Sequence, residues 1–424
     1  IHHSMARLSG TTRFAFVLAV AITAIALLQT SDRRSFKSDS LRKEIWWQSE
    51  HESPSNPQDS IEFSLSNEKC PPDLPSLEPL KVETPDLYLS LVFELPGATS
   101  VAFLNPERGF VAERTGVVFE FQSGRLLADP VIDLSSQTSV EMDQGLLGMT
   151  ISPDMRWLYL NRTDSAGSSV VTAHEITSTP GEIGSGIEII VVDQPSAMHN
   201  GGDLVFGPSG DLFVSFGDGG GLGDPYGHGQ DLSTPLGAML RLTVDPTKWP
   251  PHEPASDNPD LGTDSDPRIW VNGVRNPFRF SFDETTGNLW LTDLGQQCVE
   301  EINILDPSEG GGNLGWNLVE GSRPFLGLPS QLLRAPDFEY RHGRGRCAII
   351  GGLVVYGALD PILEGRYLFT DMCGGYLMAL DHGPSEQVFE LPLRVDQPVA
   401  FARDPANNYY VVDLANGVWQ LRSR

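Results

Sequence analysis

Lysine is scarce in this chain: after Lys81 the only one left is Lys248. Basic residues number 29 against 56 acidic ones, giving a formal net charge of -27 and an isoelectric point near 4.6. Such a surface repels phosphate and argues against nucleic acid as a partner. Strong like charge also keeps an exported protein soluble with no partner at all. Cysteine is nearly as scarce, with four residues. They form no C-x-x-C pair and have no accompanying histidine spacing, so the usual zinc signatures are missing. No apolar run reaches the roughly 20 residues that a transmembrane helix prefers, and no long amphipathic helix pattern separates the strand-like segments.

The N-terminus carries what reads as a targeting segment. Arg7 and Arg13 precede a mostly apolar run over residues 14–28, the length of a signal-peptide core. Residues 1–30 are therefore expected to be a signal peptide. With Arg33, Arg34 and Lys37 just downstream, the alternative is a retained signal anchor that tethers the chain to a membrane. Either way the protein is expected outside the cytoplasm, periplasmic or secreted. Residues 31–87, with SPSNPQDS and PPDLPSLEP, show no periodicity and read as a polar linker or arm. Cysteine usage agrees with export, because Cys70, Cys298, Cys347 and Cys373 form an even set suited to disulfides. Four cysteines allow three connectivities. Cys347 with Cys373 is the preferred pair because both flank a predicted hairpin, which leaves Cys70 with Cys298 to clasp the arm.

From residue 88 the chain becomes a succession of short apolar strands and acidic or glycine turns. Units of this kind are GFVAERTGVVFEF, RWLYLNRTD, DLFVSFGDGG, NLWLTDLGQ, RYLFTDMCGGYLMAL and NNYYVVDLANGVWQL, six in all. Six similar antiparallel units suit radial repetition, a β-propeller over residues 88–424, and a β-sandwich is the structural alternative. Residues 220–268, rich in Gly, Pro and Asp, read as a long excursion without regular structure that covers a pocket or meets a partner. The most informative stretch is HNGGDLVFGPSGDLFVSFGDGG, residues 199–220. Its two apolar runs form a hairpin around the turn residues GPSG, which puts His199 at the mouth of a sheet. A histidine there can exchange protons near neutral pH; the alternative is a hydrogen-bonded structural histidine.

The strings EMDQGLLGMTISPD, HNGGDLVFGPSGDLFVSFGDGG, GQDLSTPLGAMLRL, VNGVRNPFRFSFDETTGNLWLTDLGQ, EEINIL, GGNLGWNLVEG and CAIIGGLVVYGALDPILEGRYLFTDMCGGYLMAL resemble, in order, the glucose/sorbosone dehydrogenase family. The resemblance covers residues 88–421. It implies an all-β fold, a six-bladed β-propeller of four-stranded antiparallel sheets. Members are soluble aldose dehydrogenases that use pyrroloquinoline quinone, and the same domain recurs in hedgehog-interacting-like proteins.

The resemblance also implies roles. His199 would be the general base that takes the proton from the anomeric hydroxyl, and Arg275 would stabilise negative charge on the quinone oxygen. Asn276 would hydrogen-bond the cofactor. Asp143 and Gln144 would line the sugar pocket. A Ca2+ ion would be held by backbone oxygens of Gly295 and Gln296, just before Glu300 and Glu301. The partners are then a small sugar and an electron acceptor. Taken without the resemblance, Arg275 and Asn276 read as a surface turn, Glu300 and Glu301 as a solvated face, and Asp143 and Gln144 as a polar blade-end turn. The acidic loop of Asp257, Asp260, Asp264 and Asp266 does not follow the spacing of a calcium-binding EF-hand.

The chain departs from the family where its enzymes grip the cofactor carboxylates with a lysine. The corresponding strand end reads TDMCGGYL, and the candidates to substitute are Arg344, Arg346, Arg394 and Arg403. Two function classes follow: an exported aldose oxidoreductase, or a non-catalytic propeller that binds a protein or glycan partner.

Overall fold

The computed structural model describes residues 77–424 apart from 85, 309, 329, 331, 358, 359 and 382–386. The expected signal segment, most of the expected arm and Cys70 lie outside the described residues. Among the described residues, no helix is long and apolar enough to cross a membrane.

The fold is an all-β, six-bladed propeller of four-stranded antiparallel sheets. The innermost strands are Ala98–Asn105, Leu146–Ile151, Leu204–Phe206, Arg279–Phe282, Ile349–Val354 and Pro398–Arg403, in blades 1 to 6. The six repeated sequence units each supply the second strand of a blade: Arg108–Glu113, Trp157–Thr163, Leu212–Phe216, Leu289–Asp293, Tyr367–Asp371 and Tyr409–Asp413. In blades 2 to 6 every residue of that strand is buried. Flanking blades cover both of its faces, which is why it reads as a continuous apolar run rather than an alternation. Six apolar clusters follow, one between each pair of neighbouring blades.

The ring closes in blade 6, where Leu87–Glu94 from the start of the domain pairs antiparallel with Gly417–Ser423 at its end. Just before it, Leu80–Lys81 adds a parallel strand to the outer edge of blade 5, and Leu77 is buried in the cluster between blades 4 and 5.

One expectation is corrected. The excursion over residues 220–268 is not devoid of regular structure, because Ala238–Val244 is the third strand of blade 3 and pairs with Leu212–Phe216. His252–Pro254 and Ile269–Asn272 share its outer edge. The Gly, Pro and Asp of the flanking loops mask an ordinary apolar strand, AMLRLTV, in a wide window.

Strand direction alternates within each blade, so the loops entering each innermost strand and those joining the second strand to the third fall at one end of the propeller. His199, Arg275 and Cys347 lie in loops of the first kind, and Asp218, Gln296 and Cys373 in loops of the second.

Candidate functional site

The loop entering blade 3 turns sharply at His199, whose backbone has a φ of 54°. That left-handed conformation is costly for a residue other than glycine, and such strain concentrates at functional positions. Two contacts hold it. The His199 amide donates to Oδ2 of Asp143 at 2.9 Å, and the next turn approaches so closely that a Cβ on Gly217 would lie 2.0 Å from the His199 carbonyl oxygen and 2.8 Å from that of Arg275. Only glycine lets these three backbone segments converge.

The His199 ring is buried and has a charged partner on each nitrogen. Nδ1 stands 2.7 Å from Oδ1 of Asp218, and Nε2 stands 2.8 Å from Nη2 of Arg275. A guanidinium has no acceptor, so Nε2 must accept, and the ring proton sits on Nδ1 facing the carboxylate. The other Asp218 oxygen accepts from the Trp316 indole at 2.7 Å, and Oδ1 also accepts from the Gly220 amide at 2.8 Å. Burial pushes the Asp218 carboxyl up, but the charge and hydrogen bond of His199 and the charge of Arg275 outweigh it and hold the group below its ordinary value.

Arg275 and Asn276 are buried, not the surface turn that a reading without the family would assign. Both of their amides donate to Asp293, at 2.8 and 2.7 Å. Asn276 in turn accepts from the Gly201 amide at 3.0 Å, which ties it to the histidine loop. The guanidinium lies 5.7 Å from the centre of the Trp316 ring and donates from Nη1 to the Leu294 carbonyl at 3.1 Å. Burial raises the Asp293 carboxyl to about 7 against those two amide bonds.

Glu300 and Glu301 are likewise buried rather than a solvated face. Glu300 pairs with His342 and accepts from the Ile349 amide at 3.0 Å, and burial lifts it to about 7. Burial lifts Glu301 well above its usual value, with Asp293 opposite it on the neighbouring strand adding to the shift. Glu320 accepts from the amides of Gln297 and Cys298, both at 2.8 Å, and so shapes the loop of Gly295 and Gln296.

Asp143 reaches the site through the backbone of His199. Gln144 is buried, and its side-chain oxygen accepts from Ser139. Cys347 and Cys373 are joined, with Cα atoms 5.8 Å apart. Asp371 beneath them accepts from the Cys373 amide at 2.9 Å and the Tyr340 hydroxyl at 2.8 Å. Cys298 is also disulfide-bonded, while its expected partner Cys70 lies outside the described residues.

The donor set fits an acceptor-rich, anionic ligand held with a hard cation. Arg275 Nε and Gln296 Nε2 are buried donors with no partner, and Asn200 Oδ1 is a buried acceptor with none. Among the described residues, no donor reaches the carbonyl oxygens of Gly295 and Gln296, which leaves them free for a cation that prefers oxygen. Each of the four arginines that are candidates to replace the lysine has another partner in this structure. Arg344 pairs with Glu78 and Arg403 with Glu284. Arg346 donates to the Leu77 carbonyl, and Arg394 to that of Gly374.

Residues 94–392 match the glucose/sorbosone dehydrogenase family. The HIPL2 protein of Arabidopsis thaliana is 27% identical over 372 residues, which are 70% of this chain and 53% of that protein. An aldose sugar dehydrogenase of Escherichia coli is 27% identical over 241 residues, 54% of this chain and 61% of that one. The chain thus spans about half the length of the first curated relatives it matches. In fold it resembles the PQQ-bound form of aldose sugar dehydrogenase from Streptomyces coelicolor, with a TM-score of 0.64 at 18% identity, over 81% of this chain and all of that one.

Proposed function

We propose, from the premise that the chain belongs to the glucose/sorbosone dehydrogenase family, that it is an exported oxidoreductase which oxidises an aldose at C1 with pyrroloquinoline quinone and Ca2+. The observation that carries the reading is the buried line Asp218, His199, Arg275. A scaffold has no chemical need for a strained histidine between a carboxylate and a guanidinium.

The quinone, when bound, supplies the two-electron acceptor for the hydride leaving the sugar C1. His199 Nε2 takes the proton of the anomeric hydroxyl, and Asp218 holds the ring in the tautomer that leaves Nε2 basic and then stabilises the imidazolium. Arg275 covers Nε2 in this structure. It has a free Nε–H besides the Nη2 lent to His199, so turning both toward an acceptor oxygen uncovers the base in the same movement. Asp293 holds the Arg275 and Asn276 backbone while the side chain turns. Gly295 and Gln296 offer carbonyl oxygens to Ca2+. Asp143 acts on the sugar only through the loop it pins.

A second reading is a non-catalytic propeller with a protein or glycan partner, of the hedgehog-interacting-like kind. The commitment of Arg344, Arg346, Arg394 and Arg403 to other partners favours it. An aldose panel with quinone, Ca2+ and an artificial electron acceptor separates the two. Sugar-dependent dye reduction supports the enzyme, and its absence in folded, cofactor-loaded protein supports the binding module.

A further inference from the structure

The seam where the ring closes encloses a cavity of about 560 Å³ between blades 6 and 1. It opens at the end of the propeller opposite His199, because the turns at its mouth, those of Glu107, Ser123 and Asn408, each follow an innermost or a third strand. Its walls are aromatic. The Phe121 ring lies 5.4 Å from that of Phe93 and 5.3 Å from that of Phe103, and Phe103 lies 4.5 Å from Tyr410, measured between ring centres. Phe103 is only partly buried, which leaves ring surface for a ligand.

Polar groups converge beside these rings. The buried Asp404 accepts from the Tyr410 hydroxyl at 3.0 Å and from Asn408 Nδ2 at 2.7 Å. That bond spends the phenol proton and leaves the Tyr410 oxygen as an acceptor. Burial raises the Tyr410 phenol, with Asp404 and Glu107 adding to the rise and Arg422 opposing it, so three charges face one hydroxyl. Glu107 and Arg422 are exposed. Among the described residues, nothing pairs with the Glu107 carboxylate or with the Nη atoms of Arg422, whose Nε donates to Gln420 at 2.7 Å. An unspent acid and an unspent guanidinium offset each other, so the mouth favours neither a cation nor a phosphate. Aromatic walls with a free acceptor and free donors above them suit a neutral molecule that has apolar faces and many hydroxyls. We propose that this seam is a binding site for a neutral saccharide, separate from the His199 site. A pyranose lays its C–H face on Phe103 and Tyr410, while its hydroxyls donate to Glu107 and accept from Arg422. The inference rests on neither reading of the His199 end.

The test uses methyl β-cellobioside as the probe, a disaccharide without the free anomeric hydroxyl that oxidation at C1 requires. Its binding to the full chain is measured by calorimetry without quinone, beside phenylalanine, a zwitterion that would span the same two charges. Wild type is compared with a Glu107→Ala, Arg422→Ala double variant and with Phe103→Leu, which keeps an apolar wall but removes the flat ring. The expected result is saturable binding of the disaccharide by wild type, about 10-fold weaker binding by each variant, and no binding of phenylalanine. The melting temperature of the double variant is unchanged, because both of its residues are exposed. No binding by wild type at millimolar disaccharide, an affinity unchanged in either variant, or binding of phenylalanine in place of the disaccharide overturns the proposal.

Discussion

Nδ1 of His199 lies 2.7 Å from Oδ1 of Asp218, with both side chains buried. The carboxylate dictates the ring's tautomer and offsets the charge the ring acquires on taking a proton. Asp218→Asn keeps the shape but offers an amide that can turn its NH2 toward Nδ1. Turnover is expected to fall about 10³-fold, within the range of a positioned base, at nearly unchanged KM. Steady-state kinetics with a circular dichroism check on folding measure this.

Trp316 reaches Asp218 from 98 residues away. Trp316→Phe keeps the apolar wall and the stack on Phe325 but removes the indole donor. Losing one hydrogen bond to a charged group is expected to lower kcat about 10-fold, roughly 1.5 kcal/mol, with little change in sugar KM. A fall in KM affinity alone would instead make Trp316 a substrate contact.

Gly217 stands where three backbones meet. Gly217→Ala sets a Cβ 2.0 Å from the His199 carbonyl oxygen, so the histidine loop must move. Expected are a stability loss of about 1–3 kcal/mol, typical of overpacking, and a disproportionate loss of turnover. Denaturant unfolding alongside kinetics separates the two effects.

The Cys347–Cys373 bridge closes 26 residues of chain. Its loss in a Cys347→Ser, Cys373→Ser variant is expected to cost about 3 kcal/mol on the chain-entropy account, read as a lower Tm. Asp371 still gathers the amides of Cys347, Ala348 and Cys373, so the loops keep their positions and sugar oxidation persists.

Stability is expected to fall as pH rises from about 4.5 through about 7. Burial lifts the Glu300 carboxyl to about 7 from 4.5, against the charge of His342. Burial lowers the His342 ring, but the charge and hydrogen bond of Glu300 outweigh it and the net shift is upward. Both groups therefore hold protons more tightly folded than unfolded, and the stability they contribute drains as the pH passes their folded values. Asp218, held low, acts in the opposite sense but only as pH falls below its usual range. Asp293, which burial also lifts to about 7, and Glu301 drain stability in the same sense, so thermal melts across this window should show the decline and Glu300→Gln should reduce it without abolishing it.

Much of the fold was legible because the second strand of blades 2 to 6 is buried on both faces and so leaves a short, largely apolar run. In blades 4, 5 and 6 that run ends on an aspartate: Asp293, Asp371 and Asp413. Each accepts backbone amides from the loop entering its own blade's innermost strand. In blade 3 the equivalent position is Phe216, and the carboxylate comes two residues later as Asp218, turned onto a histidine ring instead. That displaced acid was the available signal for the base's partner. Trp316 left no such trace, since its role depends on a contact across blades. The strand Ala238–Val244 was hidden by the glycine and proline of its neighbouring loops. The family strings pointed to His199, Arg275 and Asn276, which the structure brings together. They did not reveal that Arg275 covers the histidine's lone pair, or that the four late arginines are engaged elsewhere.

If a quinone enters this site as proposed, its oxygen draws Arg275 away from His199. The decisive measurement is a titration of the Ca2+-loaded full chain with pyrroloquinoline quinone, followed by calorimetry and absorbance. Saturable binding that Arg275→Ala weakens is the expected result. No binding at high micromolar quinone, in protein shown to be folded, would instead leave the partner-binding propeller as the function.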